Sequence, residues 1–232
     1  MVFGEEIYVG YRWYEARKIA PMFPFGFGLS YTEFTYSDLR FSKTELHENE
    51  PLRVSFTVKN TGTRPGKDVA QLYVRDVACS HCRPYKELKA FETVRLEPGE
   101  QTTCTIELDR MAFEFFSDSM NKWVVEEGEF EILIGRSSQD MVLSGKIYIH
   151  SPEVAFRVSR LTCCEMIQRH PRLPGFLARR PDLEIPFSFN SLPIYRCTER
   201  FDDIDQKGQS GAALTEEDLC QLLDYLNGDL LD

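Results

Sequence analysis

The sequence predicts a mainly β fold: an antiparallel two-sheet β-sandwich between an irregular N-terminal strap and a partly helical C-terminal tail. Three observations carry this. Apolar and polar residues alternate with period two in Leu52–Val58 and again in Thr102–Leu108, the pattern of half-buried strands. Turn chemistry recurs at spacings of about 8–12 residues, as in immunoglobulin-like sandwiches. A helical spacing of leucines occurs at the far end, at Leu219, Leu222, Leu223 and Leu226.

Residues 1–33 are aromatic and rich in glycine and proline. Ile7–Tyr11 reads as one strand, after which Pro21, Pro24, Gly26 and Gly28 exclude regular structure. Tyr8, Tyr11, Trp13, Tyr14, Phe23, Phe25, Phe27 and Tyr31 are too many rings for a solvated tail, so this strap is expected to lean on another surface.

Residues 34–150 read as seven or eight short strands. Leu52–Val58 is followed by the turn Asn60-Thr61-Gly62 and by Pro65-Gly66. Val69–Val74 and Leu88–Leu96 follow, the latter closed by Glu97-Pro98-Gly99, and then the alternating Thr102–Leu108. Trp123–Val125, Phe130–Ile134 and Met141–Ile149 complete the series, with Gly128 and Gly135 as punctuation. Phe56, Val58, Leu72, Val74, Ile106, Phe130 and Ile132 are the expected interior.

Residues 151–232 change character. Arg157, Arg160, Arg169, Arg172, Arg179 and Arg180 face a single acid, Glu165, whereas the segment from Glu199 onward is strongly acidic. Mutual pairing of the two stretches is expected. Pro171, Pro174, Pro181, Pro186 and Pro193 favour an irregular course between them. Thr215 is the expected N-cap of the last helix, with Asp218 three residues on and Asn227-Gly228 as the stop.

The chain has 232 residues, 42% hydrophobic, with a net charge of −10. That apolar fraction excludes wholesale disorder, and the acidic balance argues against a nucleic-acid partner. There is no run of about 18 apolar residues, so no membrane helix is expected. The N-terminus has no apolar signal core, which together with an odd count of seven cysteines leads to an expected cytoplasmic location. Cys104 and Cys220 fall in apolar patterns and are read as small hydrophobes.

The stretch IYVGYRWYEARKIAPMFPFGFGLSYTEFTYSDL strongly resembles a segment of the β-glucosidases of glycoside hydrolase family 3. Three further pieces match in order: VKNTGTRPGKDVAQLYVRD, RPYKELKAFETVRLEPGE and WVVEEGEFEILIGRSSQDM. In that family the first segment closes a catalytic α/β-sandwich domain and leads into a C-terminal fibronectin type III-like domain. The resemblance covers residues 5–150, with a looser likeness of the tail to helical tails of some bacterial members.

The resemblance implies that residues 1–33 correspond to the end of the catalytic domain, 34–150 to the fibronectin type III-like domain, and 151–232 to a linker and helix. The family's aspartate nucleophile and acid/base carboxylate lie N-terminal to everything in this chain. Ser37-Asp38-Leu39 superficially resembles the nucleophile motif, but its context is the run into the β-domain. The implied role is therefore a non-catalytic accessory part, a fragment or separately encoded piece, that docks on and stabilises catalytic domains in cis or in trans. Other readings are a subunit completing a split glycosidase, or a free-standing module that binds carbohydrate or protein. Self-association through residues 5–31 is the alternative fate of an unpaired strand.

No catalytic residue is expected. Glycoside hydrolysis needs two carboxylates about 5–9.5 Å apart on one sugar, whereas Glu97, Glu100 and Asp109 sit in turns and Glu92 and Glu107 on polar strand faces. No pocket is expected in a sandwich filled by its own side chains. Trp13, Phe23, Phe25 and Phe27 are the candidate substrate-proximal residues if the strap meets a catalytic domain. Gly26 and Gly28 would permit close backbone approach there. Cys79-Ser80-His81-Cys82 has a metal-like spacing without the second paired set a zinc site usually needs, so neither a metal nor a cofactor is expected.

Overall fold

The computed structural model describes residues 7–117, 120–152, 158, 160, 162, 164–183, 194 and 214–228. It contains two compact units, Met1–Val77 with Pro84–Ala155, and Ala78–Arg83 with Phe156–Asp232.

The first unit opens with a short helix α1 (Tyr11–Ala16) and then runs through ten strands: β1 (Phe34–Phe41), β2 (Glu45–His47), β3 (Leu52–Asn60), β4 (Gly66–Asp76), β5 (Glu87–Leu96), β6 (Gln101–Leu108), β7 (Phe115–Ser117), β8 (Lys122–Val124), β9 (Gly128–Ser137) and β10 (Asp140–His150). One sheet has the order β1-β3-β6, the other β2-β10-β9-β4-β5, and β7 and β8 form a separate pair. Every pairing is antiparallel except β2 with β10.

The period-two strands fold as their patterns demand. In β3 the side chains of Leu52, Val54, Phe56 and Val58 are buried while Arg53 and Lys59 reach solvent. Across the ladder Val54 faces Ile106 and Phe56 faces Cys104. In the other sheet Leu72 faces Ile134 and Val74 faces Ile132. All seven expected interior residues lie in one apolar cluster, joined by Cys104, whose thiol burial pushes up to about 11. Asn60 caps β3 with a satisfied buried carboxamide. Its Nδ2 donates to the carbonyls of Arg64 and Leu96, and its Oδ1 accepts from Gly62 N and Thr32 Oγ1.

Three strands escape the sequence pattern. β1 alternates poorly and carries a bulge between Ser37 and Arg40, where Asp38 has φ 56. Asp38 is thus an exposed bulge residue that accepts from the Ser37 hydroxyl. β2 and β7 have three residues each, too few to show a period.

Ile7–Tyr11 is not a strand. Gly10 takes φ 64 and the chain turns directly into α1, with Trp13 N and Tyr14 N bonded back to Gly10 O.

In the second unit the proline-rich stretch is partly helical. α2 (Cys164–Arg169) and α3 (Leu173–Arg179) occupy it, and Pro174 sits in the first turn of α3, where a missing N–H costs nothing. α4 (Glu216–Asn227) follows its signals: Thr215 and Asp218 form a reciprocal capping box and Gly228 closes the helix at φ 80. Leu219, Leu222, Leu223 and Leu226 enter a second apolar cluster with Ile167, Leu173 and Phe176. Cys220 is exposed rather than a core hydrophobe, because it falls on the polar face of α4. Basic and acidic stretches pair as expected at Arg160–Glu216 (2.6 Å) and Arg180–Asp218 (2.8 Å). Arg157, Glu199, Pro186, Pro193, Cys163 and Cys197 lie outside the described residues.

Candidate functional site

The strap does not stand away from the sandwich. It lies on the outer face of the five-stranded sheet, held by a set of polar pins. Tyr11 Oη accepts from Leu88 N at 2.9 Å, and its ring meets Tyr73 edge-on at 5.9 Å between centroids. Arg12 pairs with Glu87 at 3.1 Å, and Lys86 pairs with Glu15 of α1. Ser138 N donates to Phe25 O at 2.8 Å, and where the strap runs into β1 of the other sheet Thr61 N donates to Glu33 O at 2.8 Å. Tyr8 is buried to 2% exposure. The expected bare strand edge is therefore replaced by a strap pinned to the sheet with much of its apolar surface still exposed, because the sheet's outer face supplies polar partners that the sequence reading placed in another domain.

The electrostatics under the strap follow from burial. The Lys86 side chain is 4% exposed, beside the Tyr73 and Tyr85 rings. Desolvation holds its ammonium down at about 8 despite the Glu15 counter-charge. Burial raises the Tyr73 phenol well above its ordinary range, and its hydroxyl donates to Gln71 Oε1 at 2.6 Å. Gln71 Nε2 donates to Arg136 O at 2.9 Å. Gly26, at φ +80, brings its backbone so close to this carboxamide that a Cβ there would overlap Gln71. Gly28 meets no such neighbour.

Beside these pins lies an open cleft of about 680 Å³, in the size range of ligand sites. The strap supplies one wall, from Pro24 through Thr32. Lys67, Asp68 and Val69 of β4 and the turn Arg136–Asp140 supply the others. This corrects the expectation that no pocket exists: the sandwich interior is filled, but the strap makes a groove against its outside. Two carboxylates reach the groove, and both are engaged. Asp68 accepts from Tyr36 Oη at 2.8 Å and Asp140 pairs with Arg136 at 2.8 Å.

The four candidate residues are placed unequally. Phe27 lines the cleft and Phe23 packs against it at 5.6 Å between centroids. Phe25 turns toward Tyr11 at 5.5 Å. Trp13 lies on α1 with the Arg17 guanidinium 4.5 Å over its ring, and it does not line the cleft. Phe23 and Phe27 remain 68% and 48% exposed, and Met22, Leu29 and Tyr31 extend the same apolar rim. The sequence reading missed Gln71, Lys67, Asp68 and Arg136. Gln71 alone left a signal, a lone polar residue in the apolar run Val69–Val74.

Residues 68–138 match the fibronectin type III-like domain. The chain is 50% identical over 149 residues to thermostable β-glucosidase B of Acetivibrio thermocellus, covering 64% of this chain and 20% of that protein. A β-glucosidase of Bacteroides ovatus is 44% identical over 139 residues, 60% of this chain and 19% of its own. Among solved structures, the GH3 β-glucosidase of Bifidobacterium adolescentis superposes with a TM-score of 0.61 at 32% identity, over 75% of this chain and 25% of that one. β-Glucosidase 3B of Thermotoga neapolitana, in complex with α-D-glucose, gives 0.58 at 41% identity, over 64% and 20%. The chain thus spans about a fifth of the length of the curated relatives it matches.

Proposed function

We propose, on the premise that this chain carries the fibronectin type III-like domain of the family 3 β-glucosidases, that it is a non-catalytic accessory part which docks on the catalytic domains of such an enzyme. The observation that carries the reading is the rim of the strap: Met22, Phe23, Phe27, Leu29 and Tyr31 stay exposed although the segment beneath them is fixed by hydrogen bonds and ion pairs. A disordered tail could bury its rings opportunistically. A pinned strap presents them in one arrangement, as a docking surface does.

Two arguments weigh against catalysis by this chain. The carboxylates at the cleft are tied to Tyr36 and Arg136, and a paired acid and nucleophile on one sugar face is what glycoside hydrolysis requires. The cleft favours one further role, contact with a saccharide at an outer subsite. Phe27 offers a ring face beside the polar groups of Lys67, Asp68 and Arg136. Assembly with catalytic domains in trans is the split-enzyme version of the same docking.

The test mixes the purified chain with a barrel and α/β-sandwich pair from a family 3 relative lacking this domain, and compares it with the triple variant Phe23→Ser/Phe27→Ser/Leu29→Ser. The expected result is no aryl glycoside turnover by the chain alone, complex formation by light scattering, and loss of the complex in the variant. Turnover by the chain alone that vanishes on changing one of its acids would overturn the reading. Equal binding by the variant would remove the rim from it.

A further inference from the structure

The two walls of the cleft beside the strap are tied together at their base. Ser138 N, in the turn after β9, donates to Phe25 O of the strap at 2.8 Å. The buried Gln71 carboxamide bridges the same walls from the sheet. Its Nε2 donates to Arg136 O at 2.9 Å and stands 3.5 Å from Gly26 O, while its Oε1 accepts from Tyr73 Oη at 2.6 Å. The width of the cleft is therefore set before a ligand enters, which lowers the ordering cost of binding. The groups it presents are electrically balanced. Lys67 and Arg136 stand against Asp68 and Asp140, and Arg136 pairs directly with Asp140. Half-exposed Phe27 and exposed Leu29 make the apolar side. Among the described residues, the Lys67 ammonium, the Thr93 hydroxyl and the Gln139 carboxamide, which also line it, have no protein partner.

We propose that this cleft by itself binds a short neutral oligosaccharide, with one pyranose ring against Phe27 and its hydroxyls bonded by Lys67 and Gln139. The inference rests on the accessory reading above and extends its saccharide contact to binding by this chain without a catalytic partner. The chemistry of the lining selects the ligand. A balanced set of charges gives an ionic ligand no net field to follow. A purely apolar ligand would cover the free ammonium, hydroxyl and carboxamide without pairing them. A pyranose meets both conditions: its C–H face lies flat on an aromatic ring, and its equatorial hydroxyls donate and accept at the edge. The volume, about 680 Å³, suits a short chain of sugar rings lying along the open groove.

The probe is cellotriose added to the full chain labelled with ¹⁵N, with sorbitol as an acyclic polyol control. Amide shifts are expected to saturate and to cluster in residues 24–32, 67–69 and 136–140. Phe27→Ala should weaken binding about tenfold and Lys67→Met about threefold. Both side chains reach solvent, so the rest of the amide spectrum should stay native. Raising NaCl from about 50 to about 500 mM should leave the affinity unchanged, as expected for a ligand without charge. Met22→Ser/Tyr31→Ser, which alters the rim outside the cleft, should keep the sugar response. Absent or scattered shifts at tens of millimolar cellotriose, an equal response to sorbitol, an unchanged affinity in Phe27→Ala or an affinity that falls with salt would each overturn the site. A chain that ignores cellotriose and still forms the complex with catalytic domains loses this site and keeps its docking role, so the two readings fail separately.

Discussion

The two faces of the five-stranded sheet are closed by different chemistry. The inner face is closed by apolar contact: Leu72, Val74, Ile132 and Ile134 pack with Val54, Phe56 and Ile106 in one cluster. The outer face is closed by the strap, through Tyr11 on Tyr73, Lys86 with Glu15, and Gln71 under Gly26. β4 records both, since Ala70 through Val74 are buried consecutively, with no exposed face left. An antiparallel strand usually keeps one wet side. The contrast teaches that the inner face defines the fold, whereas the outer face fixes the orientation of a surface. Apolar packing tolerates small shifts, and hydrogen-bonded pins do not.

That contrast can be broken most severely from the inside. Phe56→Ala is expected to cost about 3–5 kcal/mol and Ile132→Ala about 2–5 kcal/mol, the range for emptying a packed site. Denaturant unfolding should show one cooperative loss that takes the strap with it. Near-neutral values for both would mean that the inner face is not the foundation.

The second test separates the faces by pH. Lys86 is lowered from 10.5 to about 8 in the fold. Between these values the unfolded chain binds more protons than the folded one, so stability rises with pH across that window. The slope reaches at most about 1.4 kcal/mol per pH unit. The rise should run from about pH 8 and level off near pH 9, where the buried Cys104 thiol, raised to about 11 in the fold, begins to pull stability down, followed near pH 10 by buried Tyr73 and Tyr36. Lys86→Met should flatten the rise, and a slope that persists in the variant would assign it to another group.

The smallest effect sharpens the comparison most. Gly26→Ala forces a side chain into a left-handed backbone position and onto Gln71, at a cost of at least about 1 kcal/mol. The loss should be local. Proteolysis within the strap should accelerate while amide exchange in β3 and β9 stays unchanged. Matching losses in both places would show the two faces to be one cooperative body.

Legibility in the sequence follows the same division. The interior was legible because period-two strands encode their buried face residue by residue, as β3 and β6 do. β1 was hidden by its bulge at Asp38, and β2 by its length. Ile7–Tyr11 alternates like a strand, yet the left-handed Gly10 redirects it into α1, a choice that local pattern does not record. Pro174 read as a breaker although the first turn of α3 accommodates it. The aromatic strap was legible as a surface element in need of support, but its support was not. The cleft joins Pro24–Thr32 to residues near 67–69 and 136–140, and such long-range assembly leaves no local period.

Asn60 sets an order of events for a chain made from its N-terminus. Thr32, Gly62 and Arg64 are available to its carboxamide as soon as β3 leaves the ribosome, but Leu96 lies 36 residues further on. The β6 partner of β3 begins only at Gln101. Until then a half-made sandwich holds a strand with one open edge and a carboxamide short of a bond. Nascent chains arrested before residue 96 should accordingly remain protease-sensitive throughout, and full protection should arrive only once β6 and then β9 and β10, which carry Phe130, Ile132 and Ile149 of the interior, have emerged. The corner thus acts as a latch in time as well as in space: the early strands wait for the late ones before any of them is committed.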